Sequence, residues 1–439
     1  MLIAEMNSLC RKSIMPLNGL NIIATTLAYR KKFSQLLFLI ILCQWVFISP
    51  DFEYHSFYFH NAVSQQDQAE PETCIIYDSE ENTIRIECEY ANLTDVYNQL
   101  RDPDLLHKET NNGVWLLNAG IVIEEGATLY VNSTDTSWLK IVADGETAYP
   151  IQVSGSLKID SVKITSWNPN TNDYGLTDDS DRNGEDTTIG TPRPYMTIEA
   201  GATGTLDITN SEIAYLGYEA GYGAGRTGLR YEGGDGSIIR GNNIHDLWFA
   251  LYTKGTGGLV VEDNHVHTNG HYGLDPHTGT HDMIIRNNTV HDNGSTGIIC
   301  SLDCYNIIIE NNKVYNNTKW GIMFSRNMSD SVARNNIVSN ELRGIIVSES
   351  HNNEVYNNSV SSSGSGIEVN EDSSDNTIYD NLMIDIPDQD DALLIENGAA
   401  SQNTFYSNIL LDSDRNRIDL GENNMHEVSS DVNNNSNND

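Results

Sequence analysis

One short stretch of this 439-residue chain combines side chains that can move protons. The stretch is Tyr272-Gly273-Leu274-Asp275-Pro276-His277, which brings a phenol, a carboxyl group and an imidazole together. Enzymes use imidazole and phenol groups as general bases and general acids, and a carboxyl group can hold an imidazole in place. These residue types suit a reaction in which one proton is removed from a substrate and another is returned.

The stretch lies inside a repeat that fills the second half of the chain. An asparagine recurs with steps of 21 to 24 residues, and a glycine before an apolar run recurs with steps of 22 to 24. The asparagines are Asn243, Asn264, Asn288, Asn312, Asn336, Asn358 and Asn381, and the glycines are Gly273, Gly297, Gly321, Gly344 and Gly366. Repeats of this length, built from β-branched runs and Asn or Gly turns, are typical of β-solenoids. We therefore predict an all-β fold, a right-handed parallel β-helix with a short N-terminal capping helix.

The glycine ladder predicts which side chains point away from the core. The residues after the glycines form an apolar column that must face inward: Leu274, Ile298, Ile322, Ile345 and Ile367. Because side chains alternate along a strand, Asp275 and His277 then face outward together. In the preceding coil Tyr252 falls beside Asp275, and Lys254 falls beside His277.

One coil further back, Arg230 and Glu232 occupy the same two outward columns. Neighbouring strands lie about 4.8 Å apart, so side chains from three coils converge on one outward patch. This outward patch consists of Arg230, Glu232, Tyr252, Lys254, Asp275 and His277. Three further side chains lie close enough to contact a long substrate, namely Lys319, Trp320 and Arg326.

The outward patch suits proton abstraction beside a carboxylate, as in a uronate sugar. The C5 hydrogen of a uronate is only weakly acidic, because the adjacent carboxylate resists further negative charge. Lys254 or Arg230 can neutralise that carboxylate and stabilise the developing enolate. Loss of such electrostatic stabilisation typically costs on the order of 10²- to 10³-fold in rate.

The proton-transfer groups come from the same patch. His277, held by Asp275, can take the C5 proton, and Tyr272 or Tyr252 can supply one from the other face. Reprotonation on the opposite face epimerises the sugar, whereas expulsion of the O4 leaving group would make the protein a polyuronate lyase. A third alternative is a non-catalytic carbohydrate-binding surface protein, because outward charged side chains are commonly only solvated.

The stretch Tyr272–His277 resembles the Tyr-Gly-(Phe/Ile)-Asp-Pro-His signature of alginate-type mannuronan C5-epimerases, which are right-handed parallel β-helices. The similarity extends to Ser211–Gly217 and to the coils between about residues 190 and 400. The resemblance implies that His277 and Tyr272 transfer protons, that Asp275 belongs to the catalytic set and that Lys254 neutralises the substrate carboxylate. It implies an isomerase that inverts uronate residues within a polymer.

Three positions depart from the pattern of that family. Thr278 follows His277, where an acidic residue is usual, and Leu302 stands where bacterial periplasmic members carry an arginine. Arg326, one coil further along, is the candidate replacement for that arginine. Trp320 lies near the place where some members carry a second catalytic histidine.

The charge balance restricts the class of partner. The chain has 25 Lys and Arg against 62 Asp and Glu, a formal net charge of −37. Nucleic acids and anionic membrane surfaces attract basic proteins, so neither is an expected partner. We expect an acidic polysaccharide substrate, drawn in by locally placed basic side chains, and a monomeric protein.

The N-terminal region has the pattern of a leader. Arg30-Lys31-Lys32 precedes the apolar run Leu36–Ile48, which is typical of a secretory signal and short for a membrane-spanning helix. An uncleaved anchor is the alternative, and it would be the only contact with a membrane. We therefore expect a secreted or cell-surface protein with a leader over 1–64, a linker and cap over 65–113, a β-helix over 114–425 and a disordered tail over 426–439.

The cap is expected to contain a hairpin, a disulfide and a helix. Cys74 and Cys88 flank a run typical of a hairpin, and such pairs form disulfides in oxidising compartments. Asn92 is a good N-cap for a helix over Leu93–Glu109. Cys300 and Cys304 could form a second bridge or remain buried thiols.

An acidic insert between Trp167 and Pro194 contains a possible calcium site. Asp179, Asp181 and Asn183 match the first half of an EF-hand loop, but the closing Glu is absent. A solvated acidic loop is the alternative interpretation. The proposed chemistry requires no cofactor, and Ca²⁺ is expected at most to support the structure or substrate binding.

Overall fold

The computed structural model describes residues 73–109, 112–175, 190–220, 226–386, 392–395, 401–411 and 425–427. The predicted leader, most of the predicted tail and the three candidate calcium ligands lie outside these ranges. Among the described residues, no helix is long and apolar enough to cross a membrane.

Three long sheets, each with 13 strands in the described residues, run side by side along the protein. Sheet A contains Ile75–Asp78, Thr83–Ile86, Gly120–Ile123, Ile151–Val153, Met196–Ile198, Gly228–Tyr231, Phe249–Lys254, Leu274–His277, Ile298–Ser301, Trp320–Ser325, Arg343–Ser348, Ile367–Asn370 and Leu393–Ile395. Sheet B contains Ala91–Asn92, Thr128–Asn132, Ser156–Asp160, Leu206–Thr209, Ile238–Arg240, Val260–Glu262, Ile284–Arg286, Ile308–Glu310, Val332–Arg334, Glu354–Tyr356, Thr377–Tyr379, Thr404–Tyr406 and Met425–Glu427. Sheet C contains Leu106–Lys108, Val114–Leu117, Trp138–Val142, Lys163–Trp167, Glu212–Ala214, Asn243–His245, His265–His267, Thr289–His291, Lys313–Tyr315, Ile337–Ser339, Ser359–Ser361, Leu382–Ile384 and Ile409–Leu411.

Each coil contributes one strand to each sheet, and successive coils pair in parallel. The predicted right-handed parallel β-helix is therefore confirmed. Parallel stacking already includes Thr83–Ile86, which pairs with Gly120–Ile123. The stack of coils thus begins before residue 114, the start expected from the repeat.

The N-terminal end is closed by a cap. Ile75–Asp78 forms an antiparallel hairpin with Thr83–Ile86, and the predicted Cys74–Cys88 disulfide joins its base. The helix spans Leu93–Leu100, and its N-cap Asn92 forms a capping box with Asp95.

The predicted helix extends too far. It ends at Leu100, since Arg101 adopts a left-handed conformation with φ 52°. The next residue, Asp102, precedes Pro103, and a residue before proline disfavours the helical conformation. The segment predicted to continue the helix instead forms the strand Leu106–Lys108.

The glycine ladder and its apolar column pack as predicted. Leu274 and its four counterparts in the column are all fully buried. A Cβ atom on Gly273 would lie 2.4 Å from the carbonyl oxygen of Gly297. The glycines are needed because neighbouring coils approach each other too closely for a side chain at this corner.

The asparagine ladder occupies the corner between sheets B and C. Asn311 there is left-handed, with φ 56°, and the following Asn312 is buried. The side-chain amide of Asn312 donates to Asn336 Oδ1 at 3.1 Å and to the carbonyl oxygen of Ile285 at 2.9 Å. The ladder comprises Asn242, Asn264, Asn288, Asn312, Asn336, Asn358, Asn381 and Asn408.

One predicted rung is wrong. Asn242, and not Asn243, begins the asparagine ladder, and Asn243 is the first residue of the following sheet C strand. The two asparagines are adjacent, so the period alone could not distinguish them. The buried position belongs to the residue after the left-handed turn, which here is Gly241 with φ 66°.

Candidate active site

The outward patch lies on sheet A, in the predicted register. Tyr252 pairs with Asp275 and Lys254 pairs with His277 across neighbouring strands. In the coil before, Arg230 pairs with Tyr252. The alternation of strand side chains therefore predicted the register of these residues correctly.

His277 is the most highly connected side chain of the patch. Its Nδ1 lies 2.5 Å from Thr278 Oγ1 and 3.4 Å from the hydroxyl of Tyr252. Its Nε2 lies 3.2 Å from a terminal guanidinium nitrogen of Arg326. Burial, followed by the charges of Arg326 and Lys254, lowers the pKa of His277 to about 4. The imidazole is therefore neutral at pH 7 and can accept a proton.

The Arg326 side chain reaches across two coils: it contacts Ser301 in the preceding coil and His277 in the coil before that. Its Nε donates to Ser301 Oγ at 2.8 Å, and its terminal nitrogen points at His277. A guanidinium group can only donate, so His277 Nε2 must accept, and the imidazole proton is assigned to Nδ1. Although Arg326 is one coil further along than the family position at Leu302, its side chain reaches back to the site.

Asp275 differs from its predicted role. The residue is 2% exposed, and its Oδ1 has no hydrogen-bond partner. Burial raises the pKa of Asp275 well above its usual value, and the charge of Arg326 opposes this shift. The predicted contact between Asp275 and His277 is not formed: Thr278, Tyr252 and Arg326 contact the His277 imidazole instead.

Two phenols flank the motif strand. Burial, aided by the charge of Asp275, raises the pKa of Tyr272 to about 12 and raises the pKa of Tyr252 above its usual value. Both phenols are therefore protonated at neutral pH and can donate. Tyr252 lies in the preceding coil, whereas Tyr272 packs against side chains of the following coils.

The basic residues of the preceding coils, Arg230 and Lys254, both interact with Glu232. Arg230 forms an ion pair with Glu232 and lies over the Tyr252 ring, 5.0 Å from its centroid. Lys254 is half exposed, and its Nζ lies 3.9 Å from Glu232 Oε1. Glu232 therefore holds two cations at the edge of the patch, and Lys254 remains accessible.

An apolar platform adjoins the polar residues, and it was not predicted from the sequence. Ile299, Met323 and Ile346 form a small cluster of buried side chains, and the partly buried Tyr272 and Trp320 pack against it. The signal was present in the sequence, because these residues continue the column that begins with Arg230 and Tyr252. Apolar and aromatic surfaces beside polar groups are typical of ligand-binding clefts.

The structure places the other residues singled out in the sequence in different surroundings. Lys319 is partly buried and acts electrostatically on His271, whose ring stacks on Phe249. Asp179, Asp181 and Asn183 lie within 176–189, outside the described residues. In the part of the chain that the structure describes, no three His, Cys, Asp or Glu side chains are placed to hold a metal ion together. Cys300 and Cys304 are buried free thiols.

The chain is similar in sequence to two curated proteins. The chain is 30% identical over 207 residues to a mannuronan C5-epimerase of Pseudomonas aeruginosa, a match that covers 44% of this chain and 34% of that protein. A mannuronan C5-epimerase of Pseudomonas fluorescens is 27% identical over 203 residues, covering 44% and 35%. The resemblance to mannuronan C5-epimerases is confirmed. The match spans about a third of the length of these relatives.

Solved structures of epimerases share the fold. The periplasmic alginate epimerase AlgG superposes with a TM-score of 0.65 at 22% identity, covering 79% of this chain and 84% of that one. The A-module of Azotobacter vinelandii mannuronan C-5 epimerase AlgE4 gives a TM-score of 0.50 at 15% identity, covering 73% and 90%. Residues 220–389 also match the family described as periplasmic copper-binding protein (NosD).

Proposed function

We propose that this protein is a C5-epimerase that inverts uronate residues within an acidic polysaccharide. The observation that carries the proposal is the contact between the His277 imidazole and the Arg326 guanidinium, with the Tyr252 hydroxyl on the other ring nitrogen. A neutral base and a carboxylate-binding cation thus occupy one outward surface. The similarity to mannuronan C5-epimerases supports the same reaction.

The first step is binding of the substrate carboxylate by Arg326. A guanidinium group binds a carboxylate through parallel hydrogen bonds, which are stronger than its contact with a neutral imidazole. Binding therefore releases His277 Nε2 from Arg326 and offsets the positive charge that lowers the pKa of His277. The substrate itself makes the imidazole a stronger base, while Lys254 adds a further positive charge at the rim.

The second step is transfer of two protons. His277 Nε2 takes the C5 hydrogen as a proton, and the electron pair of the broken C–H bond passes into the carboxylate to form an enolate. Tyr272 then donates its hydroxyl proton to C5 from the opposite face. The imidazolium of His277 releases its proton to solvent and the phenolate of Tyr272 regains one, so both groups return to their starting state. The high pKa of Tyr272 keeps its hydroxyl group protonated at neutral pH, so a proton is present when the enolate forms.

The partly exposed rings of Tyr272 and Trp320, which pack on the apolar platform, give the polymer a second type of contact. Sugar rings have apolar faces, and an aromatic ring such as Trp320 can cover one of them. With a net charge of −37, the rest of the protein repels a polyuronate, so binding must concentrate at this basic and aromatic surface. The protein acts outside the cytoplasm, in agreement with the Cys74–Cys88 disulfide.

The test is proton NMR of the protein with polymannuronate in D₂O, with and without Ca²⁺. Guluronate signals with deuterium at C5 are the expected result, and the His277→Ala variant should lose them while His281→Ala, on another face, keeps them. Unsaturated chain ends would instead identify a lyase. If the wild type and the His277→Ala variant both bind polymannuronate and other polyuronates but neither turns them over, the protein is a non-catalytic binder.

A further inference from the structure

A second cluster of titratable side chains lies on sheet C, away from the outward patch of sheet A. Four of the 12 histidines of the chain belong to it: His245, His265, His267 and His291. Strand pairing places His267 beside His245 and also beside His291, and the stacked rings are 5.0 and 5.2 Å apart. His265 occupies the next outward position of the same strand as His267.

Two of these imidazoles face each other directly. His265 Nε2 lies 2.6 Å from His291 Nε2, and the side chain of His265 is exposed to solvent. The other nitrogen of His291, Nδ1, lies 2.5 Å from a carboxylate oxygen of Asp292. A carboxylate accepts a hydrogen bond, so the proton of His291 resides on Nδ1, and the lone pair of its Nε2 points at His265.

We propose that His265 and His291 bind one divalent transition-metal ion, of the class of Zn²⁺ or Ni²⁺, through their Nε2 atoms. Imidazole nitrogens bind zinc at about 2.0–2.1 Å, so two of them on a tetrahedral ion lie about 3.3 Å apart. A small rotation of the exposed His265 ring, which moves its Nε2 by less than about 1 Å, brings the two Nε2 atoms to that distance. Water completes the coordination, since no third His, Cys, Asp or Glu converges on this point among the described residues.

The surroundings favour an ion over a simple hydrogen bond between the two rings. Histidines that bind metals commonly donate their other N–H to a carboxylate, which is the arrangement of His291 and Asp292. The strongly negative protein also concentrates cations at its surface.

The chain contains a matched control for this arrangement. His281 contacts the Asp282 carboxylate at 2.8 Å and stacks on Tyr305, much as His291 contacts Asp292 and stacks on Tyr315. No second imidazole faces it in the described structure. A histidine that serves only to stack and to pair with its aspartate would therefore behave alike at both positions.

The experiment is isothermal titration of the untagged, chelator-stripped full chain with Zn²⁺ and with Ni²⁺. We expect one site, weakened at least tenfold in His265→Ala and in His291→Ala, weakened between about 10- and 100-fold in Asp292→Asn, and unchanged in His281→Ala. Equal affinity in wild type, His265→Ala and His291→Ala would overturn the proposal. So would the absence of binding in the wild type.

A second measurement covers the case in which a variant fails to fold. X-ray absorption of the zinc-loaded wild type should contain the outer-sphere scattering of two imidazole rings. A coordination sphere made only of oxygen would contradict the proposal. The measurement is independent of the proposed epimerase, because the site lies on a different sheet and needs no polysaccharide.

Discussion

The charge of Arg326 contributes to the low proton affinity of His277 in the unliganded protein. Burial is the larger cause of the low pKa of His277, and Arg326 is the next. Replacement by Arg326→Gln removes the charge but keeps a hydrogen-bond donor beside Nε2. We expect the pKa of His277 to rise from about 4 towards its usual value, by about one unit.

The measurement is a pH titration of the protein labelled in its histidines, with the His277 signal assigned by its loss in His277→Asn. Any remaining turnover in Arg326→Gln should show the acidic limb of kcat/KM moved to higher pH, because the base form of His277 is lost earlier on acidification. Lys319→Gln removes the same charge without contacting His277 and should leave the titration unchanged. An unaltered His277 titration in Arg326→Gln would refute this role.

The two phenols can be distinguished by the matched variants Tyr272→Phe and Tyr252→Phe. Each loses one hydroxyl group from a partly buried ring. If Tyr272 donates the second proton, Tyr272→Phe should lower kcat by about 10²- to 10⁴-fold, while Tyr252→Phe should have a smaller effect. Exchange of C5 hydrogen for deuterium without inversion should persist in Tyr272→Phe, since His277 still removes the proton. The opposite order of effects would assign the donor to Tyr252.

At the scale of the repeat, the features that follow from the sequence period could be predicted. The spacing of the glycines predicted the length of a coil, the apolar column of the core and the side of the strand on which Asp275 and His277 lie. It did not reveal that Arg326 reaches back to His277, because a long side chain can span a neighbouring coil and its direction depends on packing. Nor did it predict that Asp275 is buried and makes no hydrogen bond to His277.

One rung of a second polar ladder carries an ionisable group. Asn269, Asn293 and Asn317 bond in sequence, and Asn317 then donates to Glu341 Oε1 at 2.8 Å. Glu341 is 4% exposed, and its Oε2 has no hydrogen-bond partner. Burial raises the pKa of Glu341 to about 8, so folding favours the protonated acid.

The raised pKa of Glu341 makes stability depend on pH. The protonated acid is fully present in both states below the usual pKa of 4.5, and stability is lost as pH rises from there through about 8. Glu341→Gln mimics the protonated acid and should increase the free energy of unfolding at pH 8 by on the order of 2–4 kcal/mol, with little change at pH 4. Urea denaturation at both pH values measures this difference. Glu349→Gln, on an exposed turn, is the control, and a pH-independent effect of Glu341→Gln would contradict the assignment.

At the scale of the whole molecule, a stack of coils must protect its ends. Each coil contacts mainly its neighbours, so an uncovered terminal coil frays and offers a sheet edge for aggregation. The N-terminal end is covered by the hairpin Ile75–Ile86 and by the helix Leu93–Leu100, whose Leu93 and Val96 are fully buried. The Cys74–Cys88 bond closes this cap.

The disulfide should therefore decide the stability of the N-terminal end. It joins residues separated by 14 positions, and closing a loop of this size stabilises a protein by roughly 3 kcal/mol. We expect the double variant Cys74→Ser/Cys88→Ser to unfold at lower urea concentration, with faster amide exchange in the first coils and unchanged exchange near His277. A reductant should shift the wild type to the same midpoint and leave the variant unaffected, since Cys300 and Cys304 are already free. Equal midpoints for the wild type with and without reductant would show that hairpin and helix packing alone hold the cap.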